Sequence, residues 1–209
     1  MKCTIEGCTC VFDKKTQLWI PAPEVLIELA CRLCYDSECN EEKRTDFLKS
    51  VIKRGHHSVV EHASVSFLIT EVSRALTHQL VRHRIASYSQ RSQRYVKESQ
   101  FEYVIPPTIA SDEESKVVYL QHMVQTQKVY DFLVTRNIPK EDARYVLPNA
   151  CHTQIMLTLN FRSLRNLLKL RMDSHAQWEI RALAKSIFDI IYPMASAVFE
   201  DLKILREDS

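Results

Sequence analysis

The chain has 209 residues, of which 45% are hydrophobic, and this is enough for one well-covered core. Its 28 lysines and arginines exceed its 26 aspartates and glutamates by only two, so the composition does not indicate the broadly basic surface of a nucleic-acid-binding protein. Because it lacks an apolar run near the roughly 20 residues of a membrane-spanning helix, and lacks the charge order of a signal peptide, the sequence predicts a cytoplasmic protein without membrane association.

Hydrophobic periodicity and helix-start signals predict both helices and strands, whereas residues 1–20 show no clear period. The predicted helices span residues 23–33, 46–54, 71–83, 112–135, 139–148 and 163–171. A further, C-terminal helix is predicted to begin at a capping box of Ser174 and Gln177 and to be kinked at Pro193. The predicted strands span residues 62–70, 101–105 and 155–161. Since helices outnumber strands and do not alternate regularly with them, we expect an α+β fold in a single domain.

Basic side chains are concentrated in two segments that contain no acid. Segment 82–94, RHRIASYSQRSQR, and segment 161–171, FRSLRNLLKLR, each carry four lysines and arginines, which leaves a net charge of −6 on the remainder of a chain whose total is +2. Such focused charge favours small phosphorylated ligands over nucleic acid. With only two glycines, Gly7 and Gly55, the chain contains neither a G-x-G-x-x-G loop nor a P-loop, so side chains must do much of the work of binding any phosphate.

The histidine of the first segment lies between two arginines at the end of a predicted helix. Arginines two positions apart diverge by about 200° on a helix, so Arg82 and Arg84 cannot grip one phosphate unless the backbone turns. Three interpretations stay open: two ligands that meet at His83, one ligand beside a subunit interface, or a solvated basic loop. The serines and glutamines that follow offer neutral donors and acceptors suited to a base or sugar.

Several motifs together resemble those of the flavin-dependent thymidylate synthases. The order Arg82, His83, Arg84 and, after seven residues, Ser92 is similar to the family signature. Four further segments follow in the family's order: CRLCY at 31–35, GHHSVVEH at 55–62, EDARYVLP at 141–148 and NFRSLRNLLKLRMDSHAQWEI at 160–180. The resemblance covers roughly residues 20 to 200 of a single domain, 1–209, whose first 20 residues match poorly.

This resemblance implies a fold, a reaction and an assembly. The implied fold has a mixed, mainly antiparallel sheet surrounded by helices. The implied enzyme methylates dUMP to dTMP, with 5,10-methylenetetrahydrofolate as carbon donor and FAD, reduced by NADPH, as hydride donor. It implies a homotetramer whose sites are shared between subunits, with small-molecule substrates and no nucleic-acid partner.

The resemblance also assigns roles to individual residues. Arg171 is the implied catalytic residue, facing the pyrimidine. The implied dUMP ligands are Gln79, Arg82, Gln90, Arg91, Ser92, Gln93, Arg94, Arg144 and Arg171. The implied FAD ligands are His56, Ser58, Arg82, His83, Arg84, Gln90, Asn160, Arg162, Asn166 and His175. Many family members carry glutamate where this chain has Gln90, so we expect hydrogen bonding there but no role that needs a carboxylate.

Helix geometry in segment 161–171 separates two polar faces. At 100° per residue, Arg162, Asn166 and Lys169 fall within about 60° of one another, whereas Arg171 lies on the apolar side. A desolvated guanidinium at that position would stabilise negative charge on a pyrimidine ring whose carbon 5 becomes nucleophilic. For Lys169 and Arg165 the interpretation of a surface amphipathic helix stays open.

Other chemistries find less support. The histidines around Glu61 lack the H-E-x-x-H spacing, so no metal is expected. Seven cysteines, an odd number, indicate free thiols in a reducing compartment; a redox role for Cys31 and Cys34, or a zinc site with Cys8 and Cys10, is disfavoured. The alternative function is an RNA-binding module that uses both arginine segments. A nucleotide hydrolase would need a metal-holding carboxylate cluster, which the sequence does not display.

Overall fold

The computed structural model describes residues 1–13 and 16–207. Its strands, in chain order, are β1 (Lys2–Cys8), β2 (Cys10–Asp13), β3 (Leu18–Pro21), β4 (Ser64–Ser73), β5 (Ala86–Gln90) and β6 (His152–Asn160). Four of them form an antiparallel sheet in the order β1-β4-β6-β5. Strands β2 and β3 form an antiparallel hairpin in which Cys10 faces Pro21.

The helices contain more residues than the strands. They are α1 (Pro23–Leu33), α2 (Arg44–Lys53), α3 (Arg74–Leu80), α4 (Pro107–Ala110), α5 (Glu113–Thr135), α6 (Lys140–Ala143), α7 (Phe161–Arg171), α8 (Trp178–Ile191), α9 (Ser196–Phe199) and α10 (Lys203–Glu207). Short 3₁₀ turns cover His57–His62, Arg144–Val146, Tyr192–Met194 and Glu200–Leu202. The α+β prediction, with helices beside a mainly antiparallel sheet, is confirmed.

Two of the three predicted strands are present as β4 and β6, but the predicted strand at 101–105 is wrong. Only an isolated bridge joins Tyr103 to Cys151 there. The backbone N–H of Phe101 donates to the side chain of Gln127 on α5 at 2.9 Å, and backbone pairing is limited to two bonds, from Val104 to Ala150 and from His152 to Glu102. Strands β1, β2, β3 and β5 were not predicted.

Two predicted helix starts lie elsewhere. Strand β4 continues to Ser73, whose hydroxyl accepts from the N–H of Leu76 at 2.9 Å, so helix α3 begins at Arg74 and not at residue 71. Helix α8 is capped by Gln177, which accepts from two backbone N–H groups, and not by Ser174. Its C-terminal end comes before Pro193, which lies in a 3₁₀ turn and ends the helix instead of kinking it.

Residue contacts divide the chain into two compact units. Unit 1 comprises residues 1–2, 70–79 and 89–155, and unit 2 comprises the remaining segments. In unit 1, Phe101, Met123 and Cys151 form a buried apolar cluster. The prediction of one domain over residues 1–209 stays a prediction.

Unit 2 is centred on the apolar faces of α7 and α8. Leu164 and Leu168 of α7 and Ile187 of α8 are fully buried. Phe161 packs on Phe199 with ring centroids 5.3 Å apart. This packing buries one side of α7 and leaves its polar side uncovered by that core. None of the helices in the described residues is both long enough and apolar enough to cross a membrane.

Candidate functional site

Unit 2 contains a large cavity, here called the cationic cavity, with a volume of about 1290 Å³. Its charged lining residues include three ion pairs: Arg162 with Glu61, Arg165 with Asp201 at 2.6 Å, and Lys49 with Glu200 at 3.8 Å. Three further lining cations form no ion pair among residues 1–13 and 16–207: Lys53, Arg84 and Lys169. The cavity therefore has uncompensated positive charge, which suits an anionic ligand.

One face of α7 forms a wall of the cationic cavity. Arg162, Asn166 and Lys169 all line it, as the 100° helix rule predicted. Asn160 caps the helix, because its Oδ1 accepts from the N–H of Ser163 at 2.9 Å. Asn160 also lines the cavity, and the cap does not use the donor hydrogens of its amide. Lys169 thus faces the cavity and does not belong to a purely solvated helix face.

Arg165 has a structural role although it borders the same cavity. Its guanidinium donates to both carboxylate oxygens of Asp201, at 2.7 and 2.6 Å, and to the carbonyl of Val198. The residue is buried. These bonds join α7 to α9 and to the 3₁₀ turn that follows it, so Arg165 holds the wall of the cavity in place.

The loop after the Arg-His-Arg motif has an unfavourable backbone geometry. Ile85, which lines the cavity beside Arg84, has φ of 62°. A β-branched residue rarely adopts this left-handed conformation, which costs on the order of 1–3 kcal/mol. Arg82 and Arg84 lie beyond the end of α3 at Leu80, so the divergence of about 200° expected on a helix does not apply to them.

A hydrogen bond joins the predicted catalytic arginine to the motif histidine. Nε of Arg171 donates to Nε2 of His83 at 2.8 Å. His83 is buried, and desolvation, assisted by the charge of Arg171, lowers its pKa to about 4. The imidazole is therefore neutral near pH 7, accepts at Nε2 and carries its proton on Nδ1. The carbonyl of His83 accepts from the hydroxyl of Tyr88 at 2.8 Å, which fixes the backbone at this position.

Unit 1 contains a second group of charges, here called the arginine cluster: Arg74, Arg91, Arg94 and Arg144 with Glu98 and Glu141. Arg91 lies 3.6 Å from the buried carboxylate of Glu98. Arg94 pairs with Glu141 at 2.5 Å, and Nε of Arg144 donates to the carbonyl of the same glutamate at 3.1 Å. The structure thus brings together the predicted dUMP ligands Arg94 and Arg144, which are 50 positions apart in the sequence.

Gln90 is fixed beside this cluster by two threonines. Its Nε2 donates to the hydroxyls of Thr77 and Thr153, at 3.1 and 3.2 Å. Both amide hydrogens are thereby used, and the side-chain oxygen is left to accept a bond from a ligand. The hydroxyl of Ser92 accepts from the N–H of Arg94 at 3.2 Å, which gives this serine a local structural contact.

The remaining predicted ligands have fewer contacts. His175 is exposed and bonds only to Asp173 among the described residues, with Nδ1 2.9 Å from a carboxylate oxygen. His56 and Ser58 are exposed, and they do not line the cationic cavity, whereas the neighbouring His57 does. Gln79 lies on α3, and Arg82 is exposed in the turn that follows. Their roles stay predictions.

Two residues that line the cationic cavity, Lys53 and Lys49 of α2, were not predicted from the sequence. Their only sequence signal is a spacing of four, which places both on one face of a helix. His57 could have been selected from the GHHSVVEH motif together with His56. Its Nε2 lies 3.3 Å from the carbonyl of Ile52, so part of its role is structural.

Comparison with known proteins identifies the family. Residues 16–195 match the family model described as thymidylate synthase complementing protein. A flavin-dependent thymidylate synthase from Clostridium tetani is 41% identical over an alignment of 220 positions, gaps included, that covers 94% of this chain and 88% of that protein. The chain belongs to the flavin-dependent thymidylate synthase family. The resemblance inferred from the motifs is confirmed, and the chain is an enzyme of this class.

Two further comparisons agree with this family. The flavin-dependent thymidylate synthase of Geobacter sulfurreducens is 44% identical over 191 residues, which cover 87% of this chain and 82% of that protein. A crystal structure of Thymidylate Synthase X from Helicobacter pylori, with FAD and dUMP, matches with a TM-score of 0.74 and 27% identity. That match covers 97% of this chain and 98% of the Helicobacter chain.

The cysteines of this flavin-dependent thymidylate synthase are all free, and several have poorly acidic thiols. Burial raises the pKa of Cys3 and of Cys151 to about 12 and raises the pKa of Cys31. These thiols are therefore protonated at neutral pH and are weak nucleophiles. Within residues 1–13 and 16–207, no group of three or more His, Cys, Asp and Glu side chains is arranged to hold a metal ion.

Proposed function

We propose that this enzyme converts dUMP to dTMP by reductive methylation, with 5,10-methylenetetrahydrofolate as carbon donor, FAD as hydride donor and NADPH as the source of electrons for FAD. The cationic cavity carries this proposal, because it combines the motif arginine Arg84 with three of the implied FAD ligands on and before α7. The relative from Helicobacter pylori was crystallised with FAD and dUMP, which supports the same pair of ligands here.

The residues of the cationic cavity fit FAD. A pyrophosphate is a dianion, and the cavity supplies Lys53, Arg84 and Lys169, which have no paired acid in the described part of the chain. The amides of Asn160 and Asn166 offer neutral hydrogen bonds for sugar or ring atoms. Its volume of about 1290 Å³ exceeds the range of roughly 300–1,000 Å³ that is usual for small-ligand sites, so a large dinucleotide is not excluded by size. When bound and reduced, FAD supplies the hydride that carbon 6 of the uracil receives.

The arginine cluster fits the nucleotide. Arg91, Arg94 and Arg144 can neutralise a phosphate monoester, and Gln90 offers a carbonyl oxygen to an N–H or O–H of the ligand. Gln90 takes this role through hydrogen bonding alone, because it has no carboxylate to exchange protons.

Arg171 is the residue that we assign to activation of the pyrimidine. Negative charge develops on the uracil ring as carbon 5 becomes nucleophilic, and a half-buried guanidinium stabilises that charge more strongly than water does. His83 orients this guanidinium by accepting from its Nε at 2.8 Å, which leaves the Nη groups for the ligand. The neutral state of His83 matters, because a protonated imidazole would offer no acceptor and would repel Arg171.

A protein nucleophile is not needed in this proposal. With a hydride delivered to carbon 6, no thiolate has to attack that position, and the raised pKa values of Cys3 and Cys151 agree with such a mechanism.

We also propose the homotetramer and the cytoplasmic location that the resemblance implies. Several apolar side chains of α5 are exposed, among them Val118 at 61% and Phe132 at 63%. Such a surface supports the proposed tetramer, because it could pack against another subunit.

The substitution Arg171→Ala tests the proposal. We expect dTMP formation to fall at least about 100-fold, since a transition-state donor of this kind is worth roughly 3–4 kcal/mol. FAD binding should stay within a factor of about two, because Arg171 does not line the cationic cavity. Product formation is measured with dUMP, methylenetetrahydrofolate and NADPH, and FAD binding is measured by visible absorption. Arg181→Ala, which removes another half-buried guanidinium of unit 2, is the control.

Two outcomes would count against this assignment. Near-normal turnover of Arg171→Ala would remove the catalytic role of Arg171. A wild-type protein that stays colourless with added FAD, and instead binds RNA with an affinity that falls steeply with salt, would favour the RNA-binding alternative.

A further inference from the structure

Helix α3 begins with an arginine, Arg74, that is not among the ligands predicted from the sequence. Nη2 of Arg74 donates to the carbonyl of Arg91 at 2.9 Å, so the guanidinium contacts the segment of the predicted dUMP ligands. The neighbouring Nε is buried and has no hydrogen-bond partner among the described residues. A buried donor without an acceptor costs about 1–3 kcal/mol. This atom therefore indicates an acceptor that the protein itself does not supply.

Gln93 provides a second observation of the same kind. The residue is only 6% exposed, and its buried Nε2 also lacks a hydrogen-bond partner within the described part of the chain. Gln93 lies two positions after Arg91, to which Arg74 is bonded. Both orphaned atoms are donors, so a ligand that satisfies them must present acceptor atoms, as phosphate and carbonyl oxygens do.

The charges of the arginine cluster narrow the ligand class. Its four arginines and two glutamates leave a net charge of +2, and a phosphate monoester carries about −1.5 to −2 at pH 7. Burial lowers the pKa of Arg74, and Arg144 and Arg91 lower it further while Glu98 opposes them. The cations are thus close enough to repel one another, and a dianion between them would relieve that repulsion.

We propose that Arg74 is a further ligand of the 5′-phosphate of dUMP, with Nε donating to a phosphate oxygen while Nη2 keeps its bond to the carbonyl of Arg91. The inference rests on the proposed function, which supplies dUMP as the ligand. It deepens that function by adding a phosphate-specific residue outside the sequence motifs. The guanidinium serves both tasks because its Nε–H and Nη2–H groups lie on one edge.

The experiment compares two ligands that differ only in the phosphate. Isothermal titration calorimetry on the FAD-loaded protein gives the Kd of dUMP and of deoxyuridine for wild type, Arg74→Gln and Arg74→Lys. Arg136→Gln is the charge control, because it removes an exposed arginine of unit 1 at the end of α5. Thermal unfolding verifies that each variant is folded, and Arg74→Lys decides the question if Arg74→Gln does not fold.

The expected result is a loss that depends on the phosphate. Arg74→Gln should weaken dUMP binding about 10- to 100-fold, as expected for a lost hydrogen bond between charged groups, and should change deoxyuridine binding less than about twofold. Arg74→Lys should lose less, since it keeps the charge but not the planar fork. Equal weakening of both ligands, or no weakening of either, would overturn the inference. Equal weakening would mean that Arg74 only holds the backbone of Arg91.

A third probe separates this inference from the proposed function. If the wild-type protein does not bind dUMP, inorganic phosphate is titrated in its place. Phosphate binding that Arg74→Gln abolishes would support the role of Arg74 as a phosphate ligand although the proposed function had failed. No phosphate binding by the wild-type protein would overturn both.

Discussion

The bond between Arg171 and His83 shows how one buried residue sets the state of its neighbour. An arginine stays charged at every accessible pH, so the histidine that accepts from it must stay neutral. Desolvation lowers the pKa of His83 to about 4, and the adjacent charge acts in the same direction. At the scale of the residue, the proposed catalytic guanidinium is held by an acceptor whose proton affinity the fold has reduced.

The pKa of His83 makes stability depend on pH. In the unfolded chain its pKa is near the ordinary 6.5, so between about pH 6.5 and 4 the unfolded state binds more protons. The free energy of unfolding should therefore fall as the pH falls through this window, by up to about 3 kcal/mol from this residue. His83→Gln, which keeps an acceptor but does not titrate, should lose that part of the decrease.

Urea unfolding at pH 7 and pH 4.5 measures the effect. The comparison uses His78→Gln as the control, because His78 is an exposed histidine of α3. An equal drop in stability for wild type and His83→Gln would show that another group causes the pH dependence.

Several residues could be selected from the sequence, and others could not. Arg162, Asn166 and Lys169 were placed on one face by the 3.6-residue period alone, and all three line the cationic cavity. The bond from Arg171 to His83 joins positions 88 residues apart, and no local period carries that information. Arg74 was missed for a related reason, because its orphaned Nε can be recognised only once burial and partners are known.

At the scale of the element, α7 combines three functions. Asn160 caps its first turn, its buried face packs on α8, and its polar face lines the cationic cavity. Strand β6 leads directly into this cap, so the sheet fixes where the helix starts. The predicted start at residue 163 was late, because Asn160 and not a later residue supplies the cap.

Substitution of Asn160 separates capping from ligand binding. Asn160→Asp keeps an oxygen for the N–H of Ser163, so stability should change by less than about 0.5 kcal/mol, while FAD binding should weaken at least about tenfold because a donor becomes a carboxylate. Asn160→Ala should weaken FAD binding and also cost about 1 kcal/mol of stability. Urea unfolding and FAD titration measure both. Unchanged FAD affinity in Asn160→Asp would exclude a donor role for this amide.

At the scale of the whole molecule, the predicted ligands are distributed over both units. The arginine cluster belongs to unit 1, whereas the cationic cavity and Arg171 belong to unit 2. The motif segment 82–94 contributes to both units, since residues 80–88 belong to one and residues from 89 onward to the other. Under the proposed function, one stretch of chain would supply side chains for both anionic ligands, which would account for its concentrated charge.

The fold class could be predicted from the balance of helices and strands, but only two of the four strands of the main sheet could. Strands β4 and β6 are recognisable by their alternating apolar residues. Strand β5 consists of ASYSQ, with no strongly apolar side chain to mark a buried face, and β1 has only one isoleucine. Such strands are determined by pairing with a neighbour and not by their own pattern.

Anaerobic single turnover tests the central claim most directly. The wild-type protein is loaded with FAD, reduced, and mixed with dUMP and methylenetetrahydrofolate, and dTMP is quantified against bound flavin. We predict about one dTMP per reduced flavin and none when dUMP or FAD is omitted. Failure to bind FAD at low ionic strength, or a flavin-loaded protein that forms no dTMP from these substrates, would contradict the account.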